Sequence, residues 1–147
     1  MRKLLICLAI GAALAGCGKH EAAPQNAGDA NFEAKLQEQL LDARPGSVID
    51  IPAGHYTLKR GLSLRTDGVT IKGAGMDKTV LSFRGQVVGP EGLLVNANDF
   101  TIENLSIEDT KGDALKINHG KNITIHGVRV AWTDGAKTSN GPYGIYP

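Results

Sequence analysis

The chain has 147 residues, which sets one small domain as the upper bound. Its formal charge of +1 becomes −1 once Arg2 and Lys3 leave with an N-terminal leader (16 basic residues less two, against 15 acidic), so nothing in the charge argues for nucleic acid as a partner. Only 5% of the residues are aromatic while 19 are glycine, a balance suited to many tight corners rather than to a large helical core.

Arg2 and Lys3 precede an apolar run over residues 4–15 that is well short of the ~20 residues of a transmembrane helix, and together they read as an export signal. The run ends in Leu14-Ala15-Gly16-Cys17, which resembles the bacterial lipoprotein box. That resemblance implies cleavage before Cys17 by signal peptidase II and lipidation of its thiol. Because Gly18 rather than Asp comes next, it also implies residence at the outer membrane. An ordinary secretory signal with an incidental cysteine is the alternative. Residues 1–16 are expected to be the signal peptide; Cys7 leaves with it, and a mature chain with one cysteine has no intramolecular disulfide. Each buried lipid CH₂ adds ~0.8 kcal/mol, so several chains on one residue hold the protein to the membrane. Residues 17–29 are small and polar without apolar period and read as a flexible tether, with His20 inert.

In residues 30–46, Phe32, Leu36, Leu40 and Ala43 form one apolar stripe at helical spacing, Asp29 or Asn31 can cap its start, and Pro45-Gly46 stops it. Glu33, Glu38 and Asp42 are too scattered to make this helix catalytic. It is expected to cover the apolar end and the open strand edge of the coils that residues 47–147 form.

Those residues carry the repeats. Val48-Ile49-Asp50-Ile51, a turn at Pro52-Ala53-Gly54, and the short runs 55–58 and 62–64 supply a first coil, in which Tyr56 either covers the coil or contacts a ligand. Later, Phe100-Thr101-Ile102-Glu103-Asn104-Leu105-Ser106-Ile107 returns 23 positions on as Ile123-Thr124-Ile125-His126-Gly127-Val128-Arg129-Val130, and Val69-Thr70-Ile71-Lys72-Gly73-Ala74 is a weaker copy. Within each unit apolar residues alternate with polar ones until Gly73, Asn104 or Gly127 interrupts, the residue types that enter the left-handed region most readily. Two strands bent at a one-residue corner, stacked like over like at ~4.8 Å, predict a right-handed parallel β-helix, an all-β solenoid with an amphipathic capping helix at its N-terminal end. Phe100, Ile102, Leu105, Ile107, Ile123, Ile125, Val128 and Val130 should point inside. Between Ile71 and Ile102 the spacing grows to 31, so this coil carries about eight extra residues; Val80-Leu81-Ser82-Phe83 is its clear strand. Gly73-Ala74-Gly75 lacks the Gly-Lys-Ser/Thr and subsequent helix of a nucleotide loop and reads as a corner.

Thr70, Thr101 and Thr124 should stack outside as a β-branched ladder, and Lys72, Glu103 and His126 as either a charge ladder or an acid/base pair. Asn122 fits a glycosylation sequon but reads better as a turn residue. Leu115 and Ile145 are 30 apart, so a loop of about seven residues, 136–142, is added at the last edge, where binding surfaces of solenoids are usually built. Asp109, Lys111 and Asp113 of one coil and Trp132, Asp134, Lys137 and Tyr143 of the next meet there, together with Tyr146. The 23-residue register puts Asp109 beside Trp132 and Lys111 beside Asp134, an aromatic floor with mixed charge that suits carbohydrate. A coil-closing aromatic beside a solvated loop explains the same residues.

With the stretch PGSVIDIPAGHY, residues 30–147 resemble right-handed parallel β-helix proteins of the pectate-lyase-like superfamily; through the lipoprotein box, GDALKI and KTSNGPYGIYP the chain is more closely similar to exported bacterial β-helix repeat lipoproteins without an assigned function. The superfamily's lyases and C5-epimerases act on uronic-acid polymers with a cation or Arg that neutralises the sugar carboxylate and a Lys, Arg, His or Tyr as base, and its hydrolases use clustered Asp. Ca²⁺ is implied only if the chain is lyase-like. Gly112-Asp113-Ala114 lacks the second Asp of the hydrolases, so no catalytic residue is assigned, and no metal-ligating set stands out. The expectation is a non-catalytic, membrane-anchored protein that engages polysaccharide, with a lyase, epimerase or hydrolase as the alternative. The chain is also expected to continue beyond Pro147, because a strand is due there.

Overall fold

The computed structural model describes residues 25–26 and 30–147. The expected signal peptide, Cys17, His20 and all of the expected tether except 25–26 lie outside the described residues. The described residues form, in chain order, β1 (Gln25–Asn26), α1 (Ala30–Leu41), β2 (Val48–Ile51), β3 (Gly54–Thr57), β4 (Arg60–Leu64), β5 (Thr70–Gly73), β6 (Thr79–Ser82), β7 (Val88–Asn96), β8 (Thr101–Glu108), β9 (Leu115–His119), β10 (Thr124–Ala131) and β11 (Ile145–Tyr146).

Every strand pair among them is parallel, and the chain winds as a β-solenoid of about three turns. The first stretch of each turn stacks as β2, β5, the start of β8 and the start of β10. The second stacks as β1, β3, β6 and the ends of β8 and β10, and the third as β4, β7, β9 and β11. Like residues lie over like: Ile49, Ile71, Ile102 and Ile125 are in register, as are Leu62, Leu93, Leu115 and Ile145. The period-2 alternation puts these columns inside, where Phe100, Ile102, Leu105 and Ile107 are fully buried. Burial of each such side chain is worth about 1.5–3 kcal/mol. The outer coil differs from expectation. Ile125 is 36% exposed and Ile123, Val128 and Val130 are only partly buried, because among the described residues β10 has a strand neighbour on one side alone.

Two of the three expected one-residue corners are present: Asn104 and Gly127 both have φ 59°. Gly73 is a different device. Its backbone is not left-handed; instead an added Cβ would lie 2.3 Å from the Asn104 carbonyl oxygen and 2.8 Å from Leu105 Cβ. The chain then spends residues 74–78 before β6, where the Thr79 hydroxyl accepts the Ala74 N–H at 2.9 Å and donates to Pro52 O at 3.1 Å. A second left-handed column precedes the first stretch: Gly68, Asp99 and Asn122, at φ 71°, 53° and 56°. Asn122 is thus a turn residue, and its amide donates to Asp99 Oδ1 at 2.9 Å.

The stripe of α1 packs as its spacing predicts, with Leu36 and Leu40 buried and Phe32 partly buried against the core; the helix ends at Leu41, and Ala43, just beyond it, is also partly buried there. Phe32 stacks on Tyr56 at 3.7 Å between ring centroids, so Tyr56 covers the first coil and is not a surface contact. Glu33 Oε2 accepts the Lys59 N–H at 2.8 Å, satisfying a donor beside the helix. The strand edge is shared with β1, which pairs with β3 at Gln25↔His55 and Asn26↔Tyr56.

Candidate ligand-binding edge

The corner between the second and third stretches turns at Asp109, whose φ is 56°. Its carboxylate accepts the Thr133 N–H at 2.7 Å and the Thr133 hydroxyl at 2.9 Å, tying the next coil to it. Arg84 Nε reaches Asp109 Oδ2 at 3.3 Å and its Nη2 reaches Asp134 Oδ1 at 3.0 Å, while Lys137 Nζ lies 3.3 Å from Asp134 Oδ2. Asp134, which the 23-residue register is expected to set beside Lys111, has its ion pairs with Arg84 and Lys137. Arg84 was hidden in the sequence because the register from β6 to β8 is 26 residues (Ser82↔Glu108) and not 23.

The hydrogen bond from Lys137, and then the Arg84 guanidinium, hold the Asp134 carboxyl below the usual carboxylate range; Asp134, then Asp109, raise Arg84. Arg84 and Asp134 are exposed, so the pairs fix geometry more than they stabilise the fold. For a depressed carboxyl, the contribution is present above the unfolded value of ~3.9 and is lost as pH falls through the lower folded value. Trp132 is the only tryptophan, so its fluorescence reads this edge directly. The emission should stay constant on acidification to about pH 4 and change only below it. In Lys137→Ala the transition should move upward; an unmoved transition would mean that Lys137 does not hold Asp134.

Trp132 is partly buried and its Nε1 donates to Thr110 O at 2.9 Å, so it braces the edge. The exposed aromatics are Tyr143 and Tyr146, 53% and 43% exposed, with ring centroids 5.1 Å apart and planes at 41°. Tyr143 follows the added loop directly and Tyr146 lies in β11, paired with β9. Loop and Tyr143 press on the preceding coil, where Gly141 N–H donates to Thr110 O and Ala114 N–H to Tyr143 O. A Cβ at Gly141 would lie 1.7 Å from Gly112 O, so only glycine permits this approach.

Asp113 is 8% exposed; its Oδ2 is 3.7 Å from Lys116 Nζ and its Oδ1 has no hydrogen-bond donor among the described residues. Lys116 also lies 3.4 Å from Glu91 Oε1 and over the Tyr146 ring. The Lys111 side chain is exposed, while its N–H donates to the buried amide of Gln86 at 3.1 Å.

A second polar cluster lies on the outer face of the second stretch. Glu108 is 8% exposed, with His55 Nε2 at 3.9 Å and Arg129 Nη2 at 3.5 Å, and Arg129 also pairs with Asp77. Periodicity could not find it, since bringing His55 over Glu108 depends on the extra residues 74–78. On the first stretch Lys72 pairs with Glu103 at 3.6 Å, and His126 stands in register with Glu103 on the next strand.

Among the described residues no three His, Cys, Asp or Glu side chains are grouped as ligands of a metal ion, and no helix is long and apolar enough to cross a membrane. Compared with known proteins, the chain matches no family model, no curated protein and no solved structure.

Proposed function

We propose that the solenoid is a right-handed parallel β-helix of the pectate-lyase-like kind, exported, lipidated at Cys17 on the outer membrane, and that it binds polysaccharide at the cell envelope without catalysing a reaction on it. Parallel crossovers are right-handed in nearly all proteins, which supports the hand. The observation that carries the binding reading is the exposed Tyr143 and Tyr146 pair, which follows the loop packed on the Asp109 to Asp113 corner and lies beside Lys116 with its carboxylates Glu91 and Asp113. Aromatic faces stack on the apolar faces of sugar rings while carboxylates accept their hydroxyls.

Titration with glycans is expected to change Trp132 emission, and the double variant Tyr143→Ala, Tyr146→Ala should bind about tenfold more weakly, ~1 kcal/mol or somewhat more for loss of a stacked aromatic. Undiminished binding by the folded variant would remove the tyrosines from the site. For the anchor, Cys17→Ser should move the protein from the membrane to the soluble fraction; unchanged retention would refute lipidation there.

One observation favours an enzyme acting on uronic-acid polymers. Glu108 is an outward yet nearly buried carboxylate between His55 and Arg129, an arrangement able to move a proton. Unsaturated uronate or new reducing ends formed by the protein would establish that reading in place of simple binding.

A further inference from the structure

We infer that the glycan taken by this edge is uncharged, a neutral hydroxyl-rich polymer and not a uronic-acid polymer. This selectivity presupposes that the edge binds glycan at all and is decided by charge. A polyanion binds where cations are free to meet it, as fixed positive groups without carboxylate partners. Here they are already met. Lys116 lies between Glu91 and Asp113, Arg84 between Asp109 and Asp134, and Lys137 on Asp134. Three cations face four carboxylates, and the exposed Lys111, which has no carboxylate partner among the described residues, only brings the edge to neutrality.

The neighbouring face supplies no surplus either, since Arg129 is shared between Asp77 and Glu108. A uronate approaching the tyrosines would therefore come close to carboxylates without gaining an unpaired cation other than Lys111. Repulsion between like charges at about 4 Å is unfavourable even in water and is several times larger where solvent is partly excluded. Asp113 sharpens the point. Its Oδ1 is shielded from solvent and has no donor among the described residues, so its negative charge is incompletely compensated and a second carboxylate nearby adds to the cost. A sugar hydroxyl carries no such cost. It can donate to an exposed carboxylate such as Asp134, and a neutral sugar ring can lie on Tyr143 or Tyr146, with the ion pairs left unbroken.

The test compares polygalacturonate with the same polymer after reduction of its carboxyls to hydroxymethyl groups, which keeps the backbone and linkage and removes the charge. A panel of neutral glucans, mannans and galactans is run alongside, all read by Trp132 fluorescence and by affinity electrophoresis. The reduced polymer or a neutral glycan should be held at least about fivefold more tightly than polygalacturonate, the effect of one like-charge contact in near-aqueous dielectric. Its affinity should be flat with salt. Tighter binding of polygalacturonate, weakening as salt rises, would overturn the inference and leave glycan binding standing. Binding to none of these polymers would overturn both.

Discussion

Replacing Ile102 by alanine is expected to cost about 2–5 kcal/mol of stability, whereas Ile125→Ala, at the same position of the repeat one coil later, should cost about 1 kcal/mol. The two residues are in register and their surroundings differ. Ile102 is fully buried between β5 and β10 and packs in a column with Ile71, so its removal leaves a cavity closed on all sides. Ile125 is 36% exposed on a strand with one neighbour among the described residues, so its removal takes away less buried surface and the space left is open to water. Urea denaturation of the two variants measures the difference. Equal costs would mean that β10 is covered as β8 is, and that the outer coil is not the edge of the sheet.

Much of this architecture is written in local periodicity. Alternation in Phe100 to Ile107, its return at Ile123 to Val130, and the stripe of Phe32, Leu36 and Leu40 are short-range patterns whose physical cause, one buried face, acts residue by residue. They specify parallel coils and the covering helix, and β8 and β10 pair in the register that the repeat implies. The edge was legible in outline, since the added loop does pack on the corner at Asp109. Its chemistry was not. Arg84 comes to Asp109 through a coil of different length, and the turning of Trp132 onto Thr110 O depends on where an indole N–H finds an acceptor. Likewise His55 approaches Glu108 only because residues 74–78 set the register of β6. A fixed period carries no information about contacts that cross an insertion.

The three corner residues give the sharpest separation of sequence likeness from physical role. Gly73, Asn104 and Gly127 occupy one position of the repeat, so a reading by alignment makes them interchangeable. Their surroundings say otherwise. Asn104 and Gly127 share φ 59°, a conformation that Asn and Gly both enter, and a Cβ at Gly127 would approach, at 2.8 Å, only the end of the Asn104 side chain, which can swing aside. Gly127→Asn and Asn104→Gly should therefore each cost about 1 kcal/mol or less. At Gly73 the Cβ would meet the Asn104 carbonyl oxygen, a backbone atom held by the Gly75 N–H, at 2.3 Å and the fully buried Leu105 Cβ at 2.8 Å, and neither can swing aside as a side-chain end can. Gly73→Asn, and even Gly73→Ala, should push β5 away from β8 and cost about 3 kcal/mol or more, the upper end of what overpacking a core produces. Denaturation midpoints of the four variants, with circular dichroism to confirm the strands, decide it. A Gly73→Asn protein as stable as Gly127→Asn would mean that the first corner is built like the other two and that residues 74–78 do not set the register of the sheet.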